Sequence, residues 1–237
     1  MSNEVCGARL HIEESAHMST REIKDLKTAL RVYASHPSPV ILIMLILGFA
    51  SARIYLHSRG VAFEQMEVYG AVGMMLYWPF QEWWMHRALL HLPPLRLGKW
   101  THEMSFARIH RLHHESPKDI PLSFLPVPAV LVSLVAFSSV FYLLTQSLAY
   151  MCTWMMVASI STAIYEWVHY LTHTDYKPRG SYYRAIWKLH RWHHYKNEKY
   201  WFSFTVPWID QVFKTGPHPK DVPHSPTARS LRGDSDH

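Results

Sequence analysis

Cysteine is scarce in this chain of 237 residues: there are two, Cys6 and Cys152, far apart in the sequence. Two cysteines do not make a disulfide framework, so a reducing compartment is expected. Their separation also excludes a zinc site built on paired cysteines. The H-E-x-x-H motif of zinc proteases is missing as well, because His102-Glu103 is followed by Met-Ser-Phe. The sequence therefore excludes a disulfide-rich secreted domain and a zinc protease.

Charge is missing from one long stretch, since residues 120–165 contain no Asp, Glu, Lys, Arg or His. These 46 residues are enough for two helical crossings of a hydrocarbon core, each of which needs about 20 residues. We predict a transmembrane hairpin of residues 122–144 and 148–168, with its turn at Thr145-Gln146-Ser147.

Two further apolar segments, residues 40–52 and 68–81, predict a second hairpin. The alternative for these two segments, buried helices of a soluble domain, is disfavoured by the first hairpin, whose uncharged run is long enough for two spans. Lysine and arginine are concentrated before the first span, between the two hairpins and after the last span, so the positive-inside rule places both termini and the linker in the cytoplasm. The expected fold is therefore all-α and integral to a membrane: four transmembrane helices in two hairpins, with a cytosolic helical cap. The expected location is a bacterial inner membrane or the endoplasmic reticulum.

Composition divides the chain into three parts. Residues 1–36 are polar, carry no secretory signal and contain a predicted amphipathic helix at 19–35, which lies either on the membrane or against the protein. Its predicted apolar side carries Ile23, Leu26, Leu30 and Tyr33. Residues 37–216 form the membrane domain. Residues 217–237 are rich in proline, serine and charge and are predicted to be disordered. We interpret the net charge of +6 as a basic face against anionic lipid, not as a nucleic-acid surface.

Ten of the 18 histidines form four packets along the chain. Two packets, HRLHH (110–114) and HRWHH (190–194), have histidines spaced i, i+3, i+4, and a third has the spacing i, i+4. Residues three and four apart share one face of a helix. The remaining pair is five apart, so we expect the helix to end or distort between them. The ten residues are His86, His91, His110, His113, His114, His169, His173, His190, His193 and His194.

The predicted topology brings all ten histidines to the cytoplasmic membrane edge. Neutral imidazoles each offer one lone pair, and a cluster of them is typical of a metal site. Ten donors are too many for one ion, so we predict two metal ions. Imidazole binds iron, copper, nickel and zinc, and ligand type does not choose among them. The alternative is a set of interfacial histidines without metal.

The order H-x4-H, H-x2-H-H, H-x3-H, H-x2-H-H, with membrane spans between, resembles the fatty acid hydroxylase superfamily, which includes sterol oxidases and desaturases and is allied to carotenoid hydroxylases. The resemblance is greatest to the fatty acid 2-hydroxylase branch. It covers roughly residues 70–216, including the segment that follows the last packet. The matching stretches are HRALLH (86–91), HRLHHESPKD (110–119), YEWVHYLTH (165–173), KLHRWHHYKN (188–197) and WFSFTVPWIDQVFKT (201–215).

The resemblance implies a membrane enzyme that oxidises C–H bonds with O2, with the ten histidines binding two iron ions on the cytosolic side. It implies hydroxylation of a lipid acyl chain, fatty acid or sphingolipid, at the carbon next to the carbonyl. The lipid would come from the bilayer, and zinc can replace iron in purified protein. A fused cytochrome b5 domain is common in this family, and residues 1–36 are too few for one. We therefore expect a separate electron donor of the cytochrome b5 or ferredoxin type, and no nucleic-acid partner.

Two alternatives stay open. The same superfamily includes sterol and carotenoid hydroxylases and desaturases, and nothing in the sequence fixes the shape of a substrate pocket. A non-catalytic membrane protein that binds or transports metal is the other alternative. A transporter should place its ligands near the bilayer midplane, whereas these histidines are predicted at one rim, which favours the enzyme.

Candidates for residues around the metal ligands are fewer. Glu166 lies three residues before His169 and can orient a ligating imidazole by accepting its other N–H. Its neighbour Tyr165 is a candidate to hydrogen-bond the substrate or the oxygen that reacts with it. Glu82 is a weaker candidate of the same kind as Glu166, and Asp210 is predicted to lie at the surface. The sequence identifies no substrate-binding residue.

Overall fold

The computed structural model describes residues 20–231, apart from the side chain of Leu97, and is mostly helical. A π-helical segment, Met85–Leu90, continues α3, and 3-10 turns occur at Thr20–Glu22, Ile120–Ser123 and Pro219–Asp221. The helices are α1 (Leu26–Ser35), α2 (Pro37–Ser58), α3 (Gln65–Trp84), α4 (Ser105–Glu115), α5 (Val127–Thr145), α6 (Leu148–His173), α7 (Ser181–Tyr195) and α8 (Ile209–Val212).

The part expected to be a helical cap is not wholly helical. Two short antiparallel strands, β1 (Leu95–Leu97) and β2 (Trp100–His102), form a hairpin in the linker between α3 and α4. Gly98 adopts φ +60° at the turn, a conformation that glycine tolerates without steric cost. The strands are three residues long, which is why the hydrophobic pattern gave no sign of them.

Three stretches of the described chain are helical, long and apolar enough to cross a membrane: Pro37–Ser58, Ile120–Thr145 and Leu148–His173. These apolar helices indicate a membrane protein. Helix α3, which contains the predicted span 68–81, is not among them and carries Glu67 and Glu82 near its ends. The fourth span therefore stays a prediction. It agrees with a row of exposed apolar side chains on α3: Met66, Val68, Tyr69, Val72, Met75, Leu76 and Tyr77.

Helix α6 is the centre of the bundle and packs against α2, α3 and α5. The predicted turn between α5 and α6 is confirmed. Helix α5 ends at Thr145, Gln146 takes a left-handed conformation with φ 51°, and the Ser147 side chain caps α6 by accepting the amide of Tyr150. A left-handed residue followed by a serine cap closes one helix and opens the next within two residues.

Polar contacts at the two ends of the bundle fix how its helices line up. At the end that carries the histidines, the Glu166 carboxylate accepts hydrogen bonds from the Ser38 hydroxyl and the Leu125 amide. At the other end, Arg53 of α2 and Glu67 of α3 form a buried ion pair with an Nε–Oε1 distance of 2.6 Å. Thr153 of α6 also donates to Glu67. These contacts align α2, α3, α5 and the central α6.

The predicted amphipathic helix is shorter than expected. Helix α1 begins at Leu26, where Asp25 caps it by accepting the Thr28 amide. Ile23 and Tyr33, predicted on the apolar side, are buried against α6 and its surroundings. Leu26 and Leu30, predicted on the same side, are 46% and 49% exposed. The helix thus packs on the protein with one face and leaves two leucines free to contact a membrane; residue 19 lies outside the described residues.

The tail does not match the prediction of disorder over 217–237. Residues 217–231 lie against the protein, where the Ser225 amide bonds the Lys196 carbonyl and Ala228 is buried. The carboxylate of Glu198 accepts hydrogen bonds from the hydroxyls of Ser225 and Thr227. The segment is held by specific polar contacts and not by an apolar face. Such contacts leave no mark in the composition, so the composition suggested disorder. Residues 232–237 lie outside the described part of the chain.

Candidate metal centre

The structure brings all ten predicted histidines together in two groups of five. Within each group, one ring nitrogen from every histidine lies within 4.8 Å of those of the other members. The first histidine group contains His86, His91, His110, His114 and His193. The second histidine group contains His113, His169, His173, His190 and His194.

Helices α4 and α7 each contribute to both groups. His113 and His114 are neighbours in sequence but belong to different groups, and the same holds for His193 and His194. Successive helical residues point about 100° apart, so one H-H pair supplies two adjacent centres. The rings of His114 and His194 stack with centroids 4.1 Å apart, which puts the two groups side by side.

The predicted distortion between His86 and His91 is confirmed. The chain changes from α to π geometry over Met85–Leu90, and His91 follows as the C-cap residue. A π-helix is closed by hydrogen bonds between residues five apart. It therefore brings side chains five apart towards one another, and the H-x4-H spacing becomes a ligand spacing.

The nitrogen–nitrogen distances are those of ligands around an ion. In the first histidine group the Nε2 atom of His110 lies 3.2 Å from that of His86 and 3.1 Å from that of His91. In the second group the Nε2 atom of His169 lies 3.1 Å from that of His113 and 3.2 Å from that of His173. Metal–nitrogen bonds of about 2.1 Å at right-angled to tetrahedral geometry separate two ligand nitrogens by about 3.0 to 3.4 Å.

Hydrogen bonds between the imidazoles do not account for this convergence. A ring nitrogen carries either one proton or one lone pair, so it takes part in one such bond. The Nε2 atoms of His91, His110, His169 and His173 each face two other Nε2 atoms. The Nε2 lone pairs that are left without a proton donor repel one another, and a cation placed between them removes this repulsion.

Backbone carbonyls set the tautomer of four rings. The Nδ1 atoms of His86, His193 and His114 donate to the carbonyls of Phe202, Tyr200 and Ala228 at 2.6, 2.7 and 2.8 Å. In the second group His169 Nδ1 donates to the Ser123 carbonyl at 3.0 Å. Because Nδ1 holds the proton of a neutral ring, Nε2 presents its lone pair to the group. The Nε2 atom of His114 is buried without a hydrogen-bond partner among the described residues, as expected of a ligand atom.

Burial keeps the imidazoles neutral. Loss of solvation lowers the pKa of His110, His113 and His190 well below the ordinary histidine value, and neighbouring imidazoles lower it further. The same burial lowers the pKa of His114 to about 3. Neutral imidazole is the form that binds metal. His91 and His173 are the partly exposed members of the two groups, so solvent reaches both.

The interpretation of Glu166 as a direct partner of an imidazole is wrong. Its carboxylate accepts from Ser38 and from the Leu125 amide at 2.8 Å, whereas His169 donates to the Ser123 carbonyl. Glu166 is fully buried and anchors the turn that presents that carbonyl. It therefore acts on the second histidine group through the backbone.

Two other carboxylates also act on the backbone near the site. Glu82 accepts the amides of Phe204 and Thr205, and Asp210 accepts those of Phe202 and Ser203. Asp210 is fully buried, so its predicted place at the surface is wrong, and burial raises the pKa of its carboxyl. The two amides that Asp210 binds lie seven and eight residues earlier in the chain, in a segment without a regular hydrophobic pattern. The sequence therefore gave no sign of this contact.

Tyr165 lies beside the second histidine group. Its ring is nearly parallel to that of His169 at 5.9 Å and meets the edge of Phe204 at 5.1 Å. The side chain is partly exposed, and its role towards substrate stays a prediction. Phe204 is fully buried and packs on His86, His169 and His190, which covers both groups with an apolar ring.

The comparisons with known proteins agree with this geometry. Residues 71–215 match the family model described as fatty acid hydroxylase. The match covers more than half of the chain, including all ten histidines of the two groups. The chain belongs to the fatty acid hydroxylase family.

The individual relatives share between a quarter and a third of their aligned residues with this chain. The fatty acid 2-hydroxylase of Mus musculus is 31% identical over 142 residues, which are 60% of this chain and 37% of that protein. The dihydroceramide fatty acyl 2-hydroxylase of Arabidopsis thaliana is 26% identical over 160 residues, or 68% of this chain and 65% of that protein. The chain thus spans little more than a third of the length of the mammalian relatives it matches.

One solved structure shares the fold. It is described as full-length scs7p with only the hydroxylase domain visible. The two chains superpose with a TM-score of 0.64 at 22% identity, over 79% of this chain and 68% of the other. At this identity the likeness concerns the arrangement of the helices.

Proposed function

We propose that this protein is a di-iron oxygenase that hydroxylates a lipid acyl chain at the carbon next to the carbonyl. The observation that carries the proposal is the pair of adjacent five-histidine groups at one end of the apolar helices. In the overall reaction, O2, two electrons and two protons convert the C–H bond to C–OH and release one water. A separate donor of the cytochrome b5 or ferredoxin type supplies the electrons.

The proposed metal is iron because the reaction requires a redox metal. Bound iron supplies the one-electron chemistry that O2 activation needs and that no side chain provides. The ten histidines offer neutral nitrogen donors, which zinc also accepts. Purified protein holding zinc is therefore compatible with the proposal, and the active form is the one loaded with iron.

The protein's own residues hold the ligands and shield the site. The carbonyls of Tyr200, Phe202, Ser123 and Ala228 fix the tautomers, so the lone pairs already point inward before metal binds. The Phe204 ring excludes water between the groups. We assign Tyr165 to contact the substrate, because its partly exposed ring lies at the edge of the second group.

An acyl chain from the bilayer is the proposed substrate. Exposed apolar side chains cover α2, α3 and α5, which gives a lipid chain a surface along which to approach. The relatives' names, fatty acid 2-hydroxylase and dihydroceramide fatty acyl 2-hydroxylase, support an acyl chain over a sterol. We further propose four spans and a cytoplasmic site, which the distribution of lysine and arginine supports.

Lipid analysis of cells that express the chain tests the proposal. The host should lack 2-hydroxylated lipids and contain an electron donor of the type named above. Mass spectrometry should find 2-hydroxy acyl species with the wild-type chain and with His57→Ala, which replaces an exposed histidine at the far end of α2. The variant His113→Ala should yield none. Unchanged acyl chains together with altered sterols or carotenoids would contradict the proposal and favour that alternative.

A further inference from the structure

Two imidazoles of the first histidine group are hydrogen-bonded to one short segment that follows the last histidine packet. We call this segment, Tyr200 to Thr205, the clasp segment. Two of its carbonyls accept the Nδ1 protons of ligand candidates: Tyr200 from His193 at 2.7 Å and Phe202 from His86 at 2.6 Å. Between them Trp201 adopts φ 59°, a left-handed conformation that is costly for a bulky residue. Such a conformation persists only where the surroundings hold it.

Two buried carboxylates hold the clasp segment. Asp210 accepts the Phe202 amide on Oδ1 and the Ser203 amide on Oδ2, both at 3.0 Å. Glu82 accepts the amides of Phe204 and Thr205 on Oε1 at 2.6 and 2.9 Å. Four consecutive amides are therefore bound by carboxylates that come from α3 and α8. Each carboxyl group binds two successive amides, so the backbone is held at four positions in a row.

The second histidine group depends on a different part of the chain. The Nδ1 atom of His169 donates to the Ser123 carbonyl, and Glu166 fixes that turn through the Leu125 amide. Among the hydrogen bonds of the described residues, none joins the clasp segment to an imidazole of the second group. The Phe204 ring touches rings of both groups, so the difference between the groups lies in the carbonyls.

We propose that Asp210 and Glu82 are positioning residues for the first histidine group. By binding the amides of the clasp segment they hold two carbonyls against His86 and His193, and this fixes the tautomer that turns both Nε2 lone pairs towards the metal. Glu166 has the matching role for the second group. The inference rests on the proposed function only in that both groups bind metal.

Zinc affinity in half-site backgrounds tests this assignment. The pair His173→Ala/His190→Ala leaves the first group intact, and the pair His91→Ala/His193→Ala leaves the second intact. Each purified protein is stripped of metal, and its affinity for zinc is measured by competition with a chelator. Asp210→Asn replaces one of the two accepting oxygens with a donor, and Glu82→Met removes the oxygen that accepts both amides. Both substitutions nearly preserve the size of the side chain and are added to each background in turn.

In the first-group background both substitutions should weaken zinc binding by about 10- to 100-fold, the usual effect of removing a partner that orients a ligand. In the second-group background the affinity should change by less than about threefold, as expected for a group that these carboxylates do not hold. Glu166→Met, which removes the oxygen that accepts from Ser38 and Leu125, should show the reverse pattern. Equal weakening in both backgrounds would mean a general structural role and would overturn the inference, and so would unchanged affinity in the first-group background.

The lipid analysis separates failure of this inference from failure of the proposed function. If 2-hydroxy acyl species form but the two backgrounds respond alike, the inference is wrong and the function stands. If iron-loaded protein forms no hydroxylated product, but zinc affinity falls only in the first-group background, the inference stands and the function is wrong.

Discussion

Tyr165 has two candidate roles: its ring packs beside the metal centre, and its hydroxyl is a candidate to bind substrate. Its ring packs on His169 and Phe204, and its hydroxyl has no hydrogen-bond partner among the described residues. If the hydroxyl binds substrate, Tyr165→Phe should lower the turnover of 2-hydroxy acyl formation by about tenfold, since one hydrogen bond is worth roughly 1 to 2 kcal/mol. The metal content should stay the same because the packing ring remains. Product formation and metal analysis on the same preparation measure both.

Tyr170→Phe is the matched control for this prediction. Tyr170 lies on the same helix, and its hydroxyl donates to the Ala29 carbonyl at 3.3 Å, on the face towards α1. Its removal should affect stability and leave turnover unchanged. Equal turnover in Tyr165→Phe and wild type would show that the Tyr165 hydroxyl does not act on the substrate.

The helical spacing within each packet made the metal ligands recognisable in the sequence. His110 and His114, four apart on α4, join the same group, as one face of a helix allows. The spacing did not predict that His113 beside them joins the other group. The roles of Glu82 and Asp210 were beyond such reasoning. Glu82 binds backbone amides 122 and 123 residues away, and neither its neighbours nor a periodic pattern points to them.

Helices α2 and α3 are joined at the end away from the histidines by the ion pair of Arg53 and Glu67, which are 3% and 1% exposed. The Arg53 guanidinium also lies 3.7 Å from the centre of the Phe63 ring. Arg53→Met leaves the Glu67 carboxylate buried without its cation and should cost about 3 to 5 kcal/mol of stability. The double variant Arg53→Met/Glu67→Met should recover most of that loss. Thermal unfolding in detergent measures both effects.

Two comparisons make this prediction specific. Arg59→Met removes an exposed arginine at the end of the same helix and should leave the melting temperature unchanged. Metal content should be unaffected in all of these variants. The reason is that Thr153, which contacts Glu67, is 16 residues from His169 on α6, about 24 Å along the helix. A single variant that melts like wild type, or that loses metal, would contradict the prediction.

At the scale of elements, the sequence predicted what depends on hydrophobic length and on turn chemistry. The α5–α6 turn at Thr145-Gln146-Ser147 followed from the one polar interruption in an apolar run. The β1–β2 hairpin and the packing of residues 217–231 were not predictable in this way. Their stability comes from contacts with distant segments, such as that of Glu198 with Ser225 and Thr227.

In the molecule as a whole, ten imidazoles concentrated at one end of an apolar bundle create a dependence on pH. Burial lowers the pKa of His91, His110, His113, His190 and His194 well below the ordinary value of 6.5. Below that pH the unfolded chain binds protons at these positions and the folded chain does not. Their contribution to stability is therefore fully present above about pH 6.5 and is lost as the pH falls.

We expect the melting temperature of metal-free protein to fall steeply on acidification below about pH 6.5. Each histidine contributes up to about 1.4 kcal/mol per pH unit, and several act together. Zinc should shift the fall to lower pH because bound metal competes with protons for the same nitrogens. Thermal unfolding in detergent between about pH 8 and pH 5, with and without zinc, measures this. A melting temperature that stays constant across that range in the metal-free protein would mean that the folded state accepts protons at these rings, and neutral imidazoles poised for metal could then not be the basis of the centre.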